Sequence, residues 1–111
     1  MVDKEAAWDL PFEVVWQSAL GALANSGASI TSQDQEAGEV NAEKRSALAR
    51  FKFLVKVDSR SGETVVKVDT TAEGPSFLRS FLIAGQNVKA MNEFWKNLVK
   101  EIGEPRSYIL R

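Results

Sequence analysis

Ala49-Arg50-Phe51-Lys52-Phe53-Leu54-Val55-Lys56-Val57-Asp58 is the stretch that decides how this chain folds. Phe51, Phe53, Val55 and Val57 alternate with Arg50, Lys52, Leu54 and Lys56. Successive side chains of a strand point to opposite faces, so this is a strand with one apolar and one largely cationic face. After a loop at 58–62, residues 63–71 repeat the pattern, with Thr64, Val66, Val68 and Thr70 on the apolar side and Val65, Lys67, Asp69 and Thr71 outside. A slip of one residue would turn every side chain over. Keeping the apolar faces together sets Phe53 opposite Val68 and Val55 opposite Val66, with Lys52 beside Asp69 as a cross-strand pair. Upstream, Ile30, Val40 and Ala42 mark two more polar strands, 28–35 and 39–46, joined as a hairpin around Glu36-Ala37-Gly38.

Helical spacing brackets these strands. Phe12, Trp16, Leu20 and Leu23, widened by Val15 and Ala19, predict a helix over residues 10–25. Asp9 is placed to cap it, Pro11 suits its first turn, and Gly27 suits a left-handed C-cap. Trp8, just before it, is placed to staple onto Phe12 or Val14. Beyond the loop 72–75, Phe77, Leu78, Phe81 and Leu82 fit a short helix over 76–84. Gly85 interrupts, and Asn87 caps a second long helix over 87–102 bearing Val88, Met91, Trp95, Leu98, Val99 and Ile102. Gly103 and Pro105 end it. Residues 1–104 therefore read as one α+β domain and 105–111 as a C-terminal tail, with Tyr108, Ile109 and Leu110 able to add a short strand. The expected architecture has two layers: a four-stranded antiparallel sheet, the N- and C-terminal helices on its one apolar face, and a short helix before the last one. Its expected core is Phe12, Trp16, Leu20, Phe51, Phe53, Val55, Val66, Val68, Met91, Trp95 and Leu98.

Composition narrows the chemistry. The 111 residues are 44% hydrophobic and 26% charged, the make-up of one folded domain. No apolar run approaches the roughly 20 residues that span a bilayer. Histidine and cysteine are absent, which removes thiol nucleophiles, Cys/His metal sites and histidine acid–base catalysis. The formal net charge is −1, so a nucleic-acid partner is not expected. Residues 1–43 hold eight acids against one base and the remainder 13 bases against seven acids, two halves able to neutralise each other. The acidic, polar start lacks a secretory signal. As it stands the chain reads as cytoplasmic; with an export segment ahead of it, it would be periplasmic or envelope-bound.

From Trp16, Leu20 and Leu23 through Gly27, Ile30, Asp34, Gly38 and Val40, the alternating strands, and Phe94, Trp95 and Leu98 of the closing helix, the chain resembles the BamC/NlpB-type domains of bacterial envelope lipoproteins. The resemblance spans residues 8–102 and implies a non-catalytic assembly or interaction module. It brings no catalytic residues with it, and no lipid-bearing cysteine is present.

Two candidate surfaces follow from the residues themselves. Phe77, Leu78, Arg79, Phe81 and Leu82 form a segment too apolar for an ordinary loop, bracketed by Gly74-Pro75 and Gly85. It reads as a third helix completing the core, as a lid over a pocket between helices and sheet near residues 74–86, or as a docking patch for a protein. Arg50, Lys52, Lys56 and Lys67, with Lys44 and Arg45 nearby, make a basic sheet face, or simply a solvated one with local pairing. The acids Asp34, Glu36 and Glu39 at the hairpin turn lack EF-hand spacing, and no metal or cofactor is expected. The functional expectation is a non-enzymatic interaction or assembly domain with a protein partner. The alternative is a domain binding a small apolar molecule or lipid in the pocket.

Overall fold

The computed structural model describes residues 2–46, 49–74 and 84–109. Its elements are β1 (Val2–Trp8), α1 (Phe12–Asn25), β2 (Ser29–Asp34), β3 (Glu39–Arg45), β4 (Arg50–Arg60), β5 (Glu63–Glu73), α2 (Ala84–Ile102) and β6 (Ser107–Ile109). The fold is α+β with two helices and a single antiparallel sheet, but the sheet has six strands rather than four, in the order β2-β3-β4-β5-β1-β6.

The two added strands come from the ends of the chain. β1 lies between β5 and β6, with Ala6 opposite Val66 and Tyr108. Its charged start hides its alternation, because Lys4 shares the helix-facing side with Ala6 and Trp8. The Lys4 ammonium stands 5.2 Å from the ring centre of Trp95 and 4.8 Å from that of Tyr108. Aromatic faces attract a cation, so a lysine is tolerated where alternation asks for an apolar side chain. Part of the expected tail, Ser107–Ile109, forms β6 at the sheet edge.

The β4–β5 pairing keeps the expected parity with a two-residue offset. Phe53 faces Thr70, Val55 faces Val68, and Lys52 faces Thr71 rather than Asp69. The hairpin explains the offset. Its turn is the two-residue Ser61-Gly62, both in the left-handed region at φ 47° and 83°, so the strands run on to Arg60 and Glu63. Two successive positive φ values match the twist of paired strands.

Both helices pack on the same sheet face. Their shared core holds Trp16 and Leu23 of α1, Met91, Phe94 and Leu98 of α2, and Phe53, Val55, Val66 and Val68 of the sheet. Of the expected core, Phe12 and Leu20 are only partly buried against this cluster. Asp9 does not cap α1: Pro11 holds the N-cap position with no side-chain hydrogen bond, and Asp9 pairs with Arg106 at 3.1 Å. At the far end Gly27 (φ 81°) lets the Ala28 N–H reach back to the Leu23 carbonyl at 3.0 Å, as a glycine-ended helix does. α2 starts at Ala84, so Gly85 does not interrupt it and Asn87 is not its cap. Asn87 is buried and donates from Nδ2 to the Thr70 carbonyl at 3.2 Å. Trp8 does not staple α1; its ring stacks on Trp95 with centroids 5.8 Å apart, and its Nε1 donates to the Gly103 carbonyl at 3.0 Å. The expected short helix over 76–84 lies outside the described residues, save Ala84 in α2.

Gly38 fixes the start of β3. Its φ is 70°, and a Cβ there would come within 2.1 Å of the Val57 carbonyl oxygen. That close approach lets the Val57 N–H donate to the Gly38 carbonyl at 2.7 Å.

Candidate functional site

The helix-facing side of the sheet opens where β3 turns into β4 and α2 begins. Lys44 continues the alternation of Val40 and Ala42, so it lies on the helix side opposite Phe51. Ser46 closes the corner: its Oγ accepts from the Ala49 N–H at 3.1 Å. Across the gap, Gln86, Lys89, Ala90 and Glu93 form one stripe of α2 at offsets of three, four and seven residues, the spacing that puts side chains on a single helix face. These residues line an open cleft of about 260 Å³ between α2 and the sheet.

The cleft has an apolar interior and a charged lip. Phe51 and Ala90 are 4% and 7% exposed and form its inner surface, while Lys89 and Glu93 stand in solvent at the rim. Lys44 Nζ reaches Glu93 Oε2 at 3.5 Å, tying β3 to α2 beside the opening. The lysine stem runs past Gly27, where an added Cβ would sit 3.7 Å from Lys44 Cε. One turn further along α2, Asn97 Nδ2 donates to Ser26 Oγ at 2.9 Å, and Ser26 Oγ donates to the Ala22 carbonyl at 2.7 Å. α1, β3 and α2 are thus fastened around the cleft by polar contacts, and the cleft keeps an apolar lining.

A second hollow of about 300 Å³ lies at the β2 edge, where the register shifts between Ile30 and Ser32. Its polar walls bond to one another: Asn41 Nδ2 donates to Ser32 Oγ at 3.1 Å and Thr31 Oγ1 to the Asn41 carbonyl at 3.2 Å. Such self-satisfied walls leave few groups for a ligand.

The cations of the outer face meet carboxylates. Arg50 pairs with Glu73 and, at 3.6 Å, with Glu43; Lys52 pairs with Glu73 at 3.1 Å and Lys56 with Glu39 at 3.6 Å. The hydrogen bond from Arg50 holds the Glu73 carboxyl below its ordinary range and raises the Arg50 guanidinium. Lys67 faces Lys56 on one side and Glu5 on the other. Lys44 does not belong to this face, having crossed to the helix side. At the hairpin turn, Asp34 Oδ1 accepts from the Ala37 N–H at 3.2 Å. No group of three or more acids able to hold a metal occurs among the described residues. None of the described helices is long and apolar enough to cross a membrane.

Phe77, Leu78, Arg79, Phe81 and Leu82 lie outside the described residues. A cleft does occur at the border of the expected 74–86 region, with Gln86 in its wall, but its other walls were not expected there: Lys44 was placed beside the basic sheet face, Phe51 in the core, and Ser46, Lys89, Ala90 and Glu93 in no site. Two signals pointed to them. Lys44 keeps step with Val40 and Ala42, and Gln86, Lys89, Ala90 and Glu93 form a stripe beside the apolar stripe of α2.

No family model and no curated protein sequence matches the chain. Among solved structures it is similar to the crystal structure of Ara h 8.0201, with a TM-score of 0.64 at 12% identity over 93% of this chain and 97% of that one. It is also similar to TTHA0849 from Thermus thermophilus, with a TM-score of 0.58 at 15% identity over 92% and 93% of the two chains. At these identities the likeness is one of fold, and it runs nearly end to end in both.

Proposed function

We propose that this chain is a non-enzymatic binding domain that takes a small, largely apolar molecule into the cleft between α2 and the β3–β4 corner. The observation that carries the reading is the cleft itself, with buried Phe51 and Ala90 among its lining residues and the charged Lys89 and Glu93 exposed at its rim. An apolar hollow with a few polar groups at its edge is the general form of a small-molecule site. Its volume of about 260 Å³ falls just under the roughly 300 Å³ at which drug-sized pockets begin, which favours a small ligand. A binding role is favoured over a catalytic one by what lines the cleft. Its acid, Glu93, is committed to Lys44, and the chain has no histidine or cysteine to serve as base or nucleophile. An assembly role would call instead on residues 77–82, outside the described structure.

The test is an amide NMR titration of the whole chain with octanol as an apolar probe. Shifts are expected at Phe51, Gln86 and Ala90, and Ala90→Leu, which fills the cleft, should suppress them while thermal unfolding shows the domain still folded. Octanol-induced shifts that are absent, or that survive in folded Ala90→Leu, would rule the cleft out.

A further inference from the structure

The charges on the lip carry the reading further, to the class of ligand. Three ionised side chains line the cleft: Lys44, Lys89 and Glu93. Glu93 lies one helical turn beyond Lys89, a spacing at which the two could pair. Its carboxylate is instead held by Lys44 Nζ at 3.5 Å. Lys89 is exposed and forms no ion pair among the described residues. The lip therefore presents one charge pair and, at the rim of the cleft that Phe51 and Ala90 also line, one exposed ammonium that no carboxylate among the described residues pairs with. The neighbouring Gln86 side chain adds an uncharged group that can donate a hydrogen bond.

We infer, on the basis of the ligand-binding reading above, that the cleft selects small apolar anions, with an apolar body against Phe51 and Ala90 and a carboxylate or similar acid group at Lys89. An ammonium favours an acid group over a neutral one of the same size, while the apolar surface supplies attraction that does not depend on charge. A cationic ligand of the same shape is disfavoured, because Lys44 and Lys89 outnumber Glu93 at the lip.

Calorimetric titration of the full chain with octanoate, octanol and octylamine separates these contributions. Octanoate should bind roughly three- to tenfold more tightly than octanol, as for one partly exposed charged contact, with octylamine weakest. Lys89→Glu, at an exposed site, should abolish the preference for octanoate over octanol. Lys100→Glu, exposed near the other end of α2, should leave that preference unchanged. Equal binding of octanoate and octanol would overturn the anion inference and leave the ligand-binding reading standing. A preference that survives Lys89→Glu would overturn the assignment to Lys89. Failure of all three compounds to bind would remove the ligand-binding reading, and the anion inference with it.

Discussion

The two ends of the helix–sheet sandwich are built on different principles. At the end where α2 finishes, Trp8 stacks on Trp95 and bonds to the Gly103 carbonyl, Thr64 Oγ1 donates to the Leu10 carbonyl at 2.6 Å, and Gly38 sits against the backbone of Val57. Large rings and close backbone contacts fill that end. At the other end, where α2 starts, the sheet and helix are bridged by Lys44 and Glu93 over a cleft, and the strand ends are tied on the outside by Arg50, Lys52 and Glu73. The contrast teaches where a small domain has room for binding. Stability comes from buried area, so a cleft is tolerated at one end when the other is densely packed.

Three substitutions probe this contrast, from the largest effect to the smallest. Trp8→Ala removes a 2% exposed indole from the packed end and should cost about 3–5 kcal/mol, the usual range for an aromatic removed from a core. Urea unfolding measures it, and a loss under about 1 kcal/mol would end the claim that this end carries the stability. Gly38→Ala should cost about 2–4 kcal/mol, from left-handed backbone strain and from a Cβ driven into a carbonyl. Here thermal unfolding is the measure, and an unchanged midpoint would show that the Gly38–Val57 approach is not tight. Glu73→Gln, at the open end, should have the smallest effect, and one that depends on pH. The Glu73 carboxyl is held below its ordinary value of 4.5, chiefly by the hydrogen bond from Arg50. A depressed carboxylate contributes stability above its unfolded value and loses it as pH falls through the folded value. The variant should thus trail the parent slightly at pH 7 and converge with it as the pH falls below 4.5; a gap that widens on acidification would reverse the assignment.

How far the sequence could be read follows the same physical divide. β4 was legible because Phe51, Phe53, Val55 and Val57 alternate without a break, and α1 because Phe12, Trp16 and Leu23 keep helical step between Pro11 and Gly27. β1 was not, because its inward Lys4 is compensated by rings from Trp95 and Tyr108, contacts between residues far apart in the chain. The β4–β5 offset depended on Ser61 taking a left-handed backbone, which non-glycine residues seldom do. Asn87 looked like a cap because capping residues are identified by type, yet in the fold it is a buried donor to β5. The cleft is not marked by a conspicuous apolar segment, because its α2 wall is ordinary: Gln86, Lys89, Ala90 and Glu93, whose significance lies in the helix face they share. The basic sheet face drew notice because composition shows cations readily, whereas the acids that answer them lie on other strands.

The placement of β1 bears on how the domain assembles. β1, the first of these six strands in the chain, sits between β5 and β6, the latter formed by Ser107–Ile109, so on a ribosome it waits for the whole β2–β5 meander to be made before either neighbour exists. The meander from β2 to β5, joined by short turns, can zip up on nearby contacts in the meantime. Closing the long loop back to β1 is the slow, entropically costly step. Until then β5 presents an uncovered edge, the kind of surface on which a second chain can pair.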